Sequence, residues 1–228
     1  MLLNRIIFAW QKLNRNGWRL ILNTYKGAGG LKNFKDWFSD KVTRTTAKSF
    51  VPLAARVKLE QPFYSISDEW FLTAKIAHEE DTDSILTIEK LCYDGKTPWN
   101  RSAILHEIRF NRNAFYIVVY DNQRPVAFVG SWVIDNEAHI TNIATIPEYQ
   151  NKGIASYLMK EIIQVAEKEH IKEVTLEVRV SNKTAQSLYR TLGFEDGRIK
   201  HGYYANDHED ALEMRYLLPQ SIEEQKGY

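Results

Sequence analysis

A single cysteine in 228 residues, Cys92, leaves no partner for an internal disulfide, and no Cys/His spacing resembles a zinc site. Such usage suits a reducing, cytoplasmic setting, and Cys92 reads as a small buried hydrophobe rather than a nucleophile. Long apolar runs are missing as well. Nowhere do 18 apolar residues follow one another, so the pattern offers no membrane-spanning helix. The opening MLLNRIIFAW is interrupted by Asn4 and Arg5 and is followed by no small-residue cleavage site, unlike a secretory signal. Low-complexity tracts are also lacking, and 44% apolar with 26% charged residues is the composition of a folded globular chain.

What charge there is sits unevenly. Residues 1–60 hold 12 Lys/Arg against 3 Asp/Glu, and the remainder holds 18 against 26, so a net of +1 conceals a basic leader and an acidic body. In the leader, Leu2, Leu3, Ile6, Ile7, Trp10 and Leu13 recur at helical spacing, as do Leu31, Phe34, Trp37 and Phe38 after Gly27-Ala28-Gly29-Gly30. Basic amphipathic helices with Trp10, Trp18 and Trp37 can lie on an anionic membrane surface or contact ribosomal RNA, or Trp10, Phe34 and Trp37 can pack on the acidic body. Val42 to Pro62 is weakly patterned and reads as a linker. The expected organisation is a basic helical extension and linker over 1–62, a folded domain over 63–218, and a polar tail over 219–228.

Within the domain the chain reads strand, helix, helix, then an antiparallel run. Phe71 to Lys75 suggests a strand, and Thr82 to Leu91 a helix. Asn100 is a candidate N-cap for a second helix through Ile108. Phe115–Tyr120 and Val126–Ile134 form a hairpin around Asp121-Asn122, and Asp135-Asn136 turns into a third strand, His139 to Ile146. Then come a loop, a long helix from Ile154, the alternating strand Val174–Val180, a helix capped by Ser181-Asn182, and a closing hairpin ending at Leu217.

Two features of this stretch carry chemistry. The loop Gln150-Asn151-Lys152-Gly153-Ile154-Ala155 joins a strand to a helix N-terminus, which presents unpaired N–H groups and a positive dipole end suited to a pyrophosphate; an ordinary turn with one glycine has the same pattern. Glu177 alternates with Thr175 and Arg179 on one face of a strand expected to lie inside a covered parallel sheet. A carboxylate there needs a cleft or a partner, so it is either a general base or the mate of Arg179 or another charge. Tyr189 belongs to an apolar helix stripe with Ala185, Leu188 and Leu192, a packing role by spacing alone. Gly95-Lys96-Thr97 lacks the upstream glycine of a P-loop, His208-Glu209-Asp210 has no metal-ligand spacing, and His139, His170 and His201 read as strand or surface residues.

Taken in order, several segments resemble the GNAT superfamily, and within it the RimI-type ribosomal-protein-alanine N-acetyltransferases. They are Asn142-Ile143-Ala144-Thr145, Gln150-x-x-Gly153-x-Ala155, Leu176-Glu177-Val178-Arg179-Val180-Ser181-Asn182, Ser187-Leu188-Tyr189-x-x-Leu192-Gly193-Phe194, Gly202-Tyr203-Tyr204 and His208-Glu209-Asp210-Ala211. The likeness spans roughly residues 69–218. It implies an α/β GNAT fold: a mixed central sheet with two splayed parallel strands, flanked by helices, here with the basic amphipathic N-terminal extension added. It implies acetyl-CoA as co-substrate and no metal. Ile143, Ala144 and Thr145 would bind pantetheine through their backbone. The amides of Asn151, Lys152, Gly153, Ile154, Ala155 and Ser156 would hold the pyrophosphate, Gln150 would join them in binding the cofactor, and Asn182 would reach the pantetheine arm. Glu177 would be the general base and Tyr189 the general acid, while Trp99, Tyr203 and Tyr204 would flank the acceptor. Ala155 stands where glycine is commoner. The implied acceptor is a protein N-terminal α-amine, the alanine of a small-subunit ribosomal protein; a lysine side chain or a small amine is the alternative.

Overall fold

The computed structural model describes residues 51–219, apart from Lys96, Pro98, Ala205 and Asn206. The expected leader helices, and their contacts with membrane or RNA, fall outside the described residues. The stretch read as linker is structured from residue 51 onward. Helix α1 (Leu53–Arg56) buries Leu53, whose N–H donates to the Arg112 carbonyl, and the N–H groups of Glu60 and Gln61 donate to the buried carboxylate of Glu161.

An eight-stranded sheet follows, in the order β1-β2-β3-β4-β5-β6-β8-β7. Its strands are β1 (Phe63–Ser67), β2 (Trp70–Ile76), β3 (Ala114–Asp121), β4 (Arg124–Ile134), β5 (Glu137–Thr145), β6 (Glu173–Arg179), β7 (Glu195–Lys200) and β8 (Ala211–Leu217). The helices are α2 (Thr82–Cys92) and α3 (Arg101–Phe110) between β2 and β3, α4 (Ile154–Lys168) between β5 and β6, and α5 (Lys183–Thr191) between β6 and β7. Asn100 caps α3 through the Ala103 N–H, and Asn182 caps α5 through the Ala185 N–H.

Strand alternation assigns the helices to opposite faces. Lys75 and Tyr120 both reach Asp81 at the start of α2, while Tyr64 stacks on Tyr157 of α4. The central strands carry the core: Ile117, Val118, Val119, Val126, Ala127 and Val129 are fully buried. A strand covered on both faces carries a continuous apolar run, as β3 does from Ala114 to Val119 and β4 from Val126 to Val129.

All neighbours pair antiparallel except β5 and β6, and that pair matters most. Their parallel ladder covers only Glu137↔Glu173, Ala138↔Val174 and His139↔Thr175. Beyond it β6 continues against β8 and β5 continues against β4, so the two strands diverge. A bulge lies just past the branch point: Ser131 pairs with Ile140 and Gly130 with Asn142, leaving Thr141 extra. A bulge bends a strand and resets which side chains face which way. His139 and Asn142, three residues apart, therefore share the α2 face. Any side chain at Gly130 would run into the Tyr116 ring and the Thr141 hydroxyl.

Candidate active site

The divergence of β5 from β6 leaves the outer edge of β5, including Ile143, Ala144 and Thr145, without a strand beside it. An extended chain can add to such an edge by main-chain hydrogen bonds. Gln150 points back at this edge, its Nε2 donating to the Thr145 carbonyl at 3.1 Å. At the foot of the opening, Asn151 (φ 58°) and Gly153 (φ 79°) adopt left-handed backbone, turning the chain into α4. Among the described residues, no hydrogen bond takes the backbone N–H of any residue from Asn151 to Ser156. The start of α4 beside Lys152 thus keeps unpaired backbone donors, an arrangement that can receive an anion. Ile154 contributes backbone alone, because its side chain is in the core.

The loop is braced from β1 and β2. The Tyr64 hydroxyl donates to the Lys152 carbonyl at 2.7 Å, and the Lys152 ammonium sits 5.2 Å from the centre of the Trp70 ring. Asn182 spends its Oδ1 on the α5 cap, which leaves its Nδ2 hydrogens uncommitted to that cap. The chain entering α5 is fixed by Gln186, 2% exposed, whose amide donates to the carbonyls of Arg179 and Val180.

Glu177 lies on the α2 face of β6, its side chain 9% exposed. Arg179 is not its mate. Instead His139 Nε2 lies 3.2 Å from Oε2, Lys200 Nζ donates to Oε1 at 2.5 Å, and the Tyr203 hydroxyl donates to Oε2 at 3.3 Å. Burial opposes ionisation, yet the charges and hydrogen bonds of His139 and Lys200 outweigh it, holding the carboxyl down at about 2. Behind His139, Nδ1 lies 2.9 Å from Thr175 Oγ1, which donates to Glu137 Oε1 at 2.5 Å. His139, read from sequence as a strand or surface residue, is a strand residue but 3% exposed and in contact with Glu177. Thr175 and Glu137 gave no sequence signal beyond their alternation with Glu177 and His139.

Tyr189 is buried on α5 against Phe194. Burial alone pushes its phenol up to about 12, so it keeps its proton at neutral pH. Tyr203 and Tyr204 pack edge to face at 5.2 Å on the loop after β7. That loop is fastened to the start of α5: Glu209 accepts from the Ser181 N–H and from Arg179, Asp207 pairs with Arg179, and the Arg179 guanidinium lies 3.9 Å from the centre of the Tyr204 ring. Trp99 stands edge-on to Trp132, the cross-strand neighbour of His139. Beside it, Glu89 of α2 is 1% exposed and accepts from the Asn142 amide, whose oxygen in turn accepts from Tyr93. Burial lifts the Glu89 carboxyl to about 7.

A mixed sheet whose one parallel pair divides, with a glycine turn into a helix at its foot and a buried carboxylate on the diverging strand, is the architecture of the GNAT class of acyltransferases. The sequence profile of the Acetyltransferase (GNAT) family matches residues 82–194. A Bacillus subtilis relative, provisionally named a ribosomal protein bS18-alanine N-acetyltransferase, is 34% identical over 135 residues, covering 59% of this chain and 88% of its own. The chain belongs to the GNAT family and is an acetyltransferase, and the family uses acetyl-CoA. The Salmonella typhimurium ribosomal protein bS18-alanine N-acetyltransferase is 38% identical over 103 residues, 44% of this chain and 68% of its own. The crystal structure of the Escherichia coli ribosomal-protein-S18-alanine N-acetyltransferase superposes with a TM-score of 0.60 at 28% identity, covering 67% of this chain and 97% of that one.

Proposed function

We propose that this enzyme acetylates the N-terminal α-amine of a protein that begins with alanine, a small-subunit ribosomal protein. The observation that carries the reading is the Tyr203–Tyr204 loop, fastened through Arg179 and Glu209 over the open end of the splayed strands with Tyr203 on Glu177. Such a rim admits an extended chain end to the face opposite the pyrophosphate loop. The relatives named as alanine N-acetyltransferases point to the same acceptor.

Acetyl-CoA supplies a thioester, whose C–S bond breaks as the amine nitrogen bonds to the carbonyl carbon. Asn151 to Ser156 hold the pyrophosphate, the edge at Ile143, Ala144 and Thr145 aligns the pantetheine with Asn182, and Trp99, Tyr203 and Tyr204 flank the acceptor. The open β5 edge supplies an N–H where negative charge develops on the carbonyl oxygen. Tyr189, protonated at neutral pH, donates to the departing sulfur. The proton shed by the amine leaves toward Glu177 through a water. An α-amine, with a reference pKa near 8, is on the order of 10% neutral at pH 7, against well under 0.1% for a lysine side chain near 10.4. This site, whose carboxylate is held at about 2, suits the amine that needs less help.

A competition among an alanyl peptide, a polyamine and an Nα-blocked lysine peptide tests the reading. Acetylation of the alanyl peptide at its amino end is expected to dominate; preference for either other amine overturns it. Mass spectrometry of protein N-termini in cells lacking the enzyme then names the acceptor.

A further inference from the structure

The chain Glu137–Thr175–His139–Glu177 contains two hydrogen bonds and one 3.2 Å ion-pair contact, and across the last a ring lone pair would repel the carboxylate unless a hydrogen lies between them. The Thr175 hydroxyl supplies the hydrogen lying toward Glu137. A neutral imidazole supplies a second. The third contact is satisfied only if the group of four holds one proton more than a neutral imidazole and two carboxylates carry. With both carboxyls ionised, that proton makes His139 an imidazolium, donating from Nδ1 to Thr175 and from Nε2 to Glu177. Burial makes such an arrangement costly unless every member is paired, and each is. Lys200, Tyr203 and, through Lys200, Glu213 surround Glu177; Trp132 flanks His139 across the β4–β5 ladder.

Removal of that proton has one outcome consistent with the hydrogen bonds. The Thr175 hydroxyl stays with Glu137, the ring keeps its Nδ1 hydrogen on Thr175, and the position between Nε2 and Glu177 Oε2 empties. A lone pair then faces a carboxylate, and the pair becomes a strong acceptor. We propose that His139 is the proton store behind Glu177: a proton from the acceptor amine passes through water to Glu177 and comes to rest on His139 Nε2, with Thr175 and Glu137 fixing the ring's tautomer. The N–H bond of the amine breaks and an Nε2–H bond forms; no other group changes its proton count. On this view Glu177 is the contact point and His139 a positioning residue acting through it. A carboxylate so firmly held is by itself a poor terminal acceptor, and the ring nitrogen beside it is the nearest further base.

The proposal rests on the acceptor reading only for its kinetic arm, so two measurements are paired. Ring-nitrogen NMR of full-length protein, with the His139→Gln variant identifying the signal among six histidines, reads the store without any acceptor. The expected spectrum is imidazolium at low pH, converting to the Nδ1–H tautomer as pH rises. A ring that stays in one form from pH 5 to 9, or becomes Nε2–H, overturns the proposal. In steady-state kinetics with an alanyl peptide, log kcat/KM of the wild type should approach slope two at the acid end, one unit for the amine and one for the store. His139→Gln, which keeps a polar partner for Glu177 but cannot titrate, should show slope one. Its kcat should fall at least tenfold with the KM for acetyl-CoA within twofold. An unchanged slope, or kcat within twofold, also refutes it. Absent acetylation of the peptide by the wild type would instead count against the acceptor reading, leaving the NMR result to judge the store.

Discussion

Gly153 and Tyr64 meet at the cofactor loop, and their coupling can be worked out in advance. Gly153 holds a left-handed backbone (φ 79°), and a methyl there would strike the Tyr64 hydroxyl, with ring carbon Cζ next at 3.5 Å. Alanine in this conformation costs about 1–2 kcal/mol. Displacing the tyrosine also breaks its 2.7 Å bond to the Lys152 carbonyl, about 1 kcal/mol more. Gly153→Ala should thus lose about 2–3 kcal/mol of stability, and Tyr64→Phe about 1. In the double variant the hydroxyl is already gone, and the remaining Cζ distance is ordinary contact. The hydrogen bond is then lost once rather than twice, so the double should cost about 1 kcal/mol less than the sum. Urea denaturation of the four proteins measures the cycle, and the KM for acetyl-CoA should rise in Gly153→Ala and recover in part in the double. Additivity within about 0.3 kcal/mol would refute the contact as the reason a glycine stands there.

Three further outcomes follow from the site. Tyr189→Phe removes a hydroxyl that makes no hydrogen bond among the described residues, so stability should shift by under about 0.5 kcal/mol while kcat drops on the order of 100-fold; an unchanged kcat removes the acid assignment. Arg179→Lys keeps the charge but loses the planar fork on Asp207, Glu209 and the Tyr204 face, so the KM for the acceptor peptide should rise about five- to tenfold with that for acetyl-CoA unchanged; equal changes in both would place its effect elsewhere. Glu89 has a folded-state value near 7 against 4.5, so the fold binds its proton more tightly than the unfolded chain does. Stability should decline by on the order of 3 kcal/mol as pH rises from 4.5 through 7. Glu89→Gln should flatten that slope in pH-dependent denaturation, and an identical slope would sink the attribution.

Helices and central strands were legible in the sequence because their apolar spacing is strong: α2, α3, α4 and α5 begin near the expected positions. β1 was missed. Its pattern alternates exposed and half-buried at a sheet edge, too weak a contrast to register, yet Tyr64 on that strand supports the loop. Glu89, Glu107 and Glu161 look like solvated helix charges in sequence and are all buried. Their partners, Asn142, Asn111 and the N–H groups of Glu60 and Gln61, come from capping positions or distant strands that periodicity does not encode. The bulge at Thr141 hid the polar face further. Strict alternation puts Asn142 opposite His139, whereas the extra residue brings both to the same side. Family likeness named Glu177 but not the charges around it, since His139 and Lys200 lie 38 and 23 positions away in the chain.

Those charges set stability against reactivity at one carboxylate. Glu177 has a folded-state value of about 2 against 4.5, so the unfolded chain binds its proton more tightly. This contribution, on the order of 3 kcal/mol, is fully present above pH 4.5 and is lost as pH falls through 2. Lys200, bonded to both Glu177 and Glu213, is one of its two sources, and Lys200→Met removes that cation while keeping much of the stem's bulk. Stability at pH 7 should fall, because two carboxylates lose a shared partner, and the acid-side slope due to Glu177 should shrink. At the same time the carboxylate becomes a better proton acceptor. A single substitution should therefore lower the denaturation midpoint and leave chemistry at saturating peptide as fast or faster. Should kcat collapse together with stability, Lys200 must do more than hold the carboxylate, and direct contact with the acceptor becomes the reading to test.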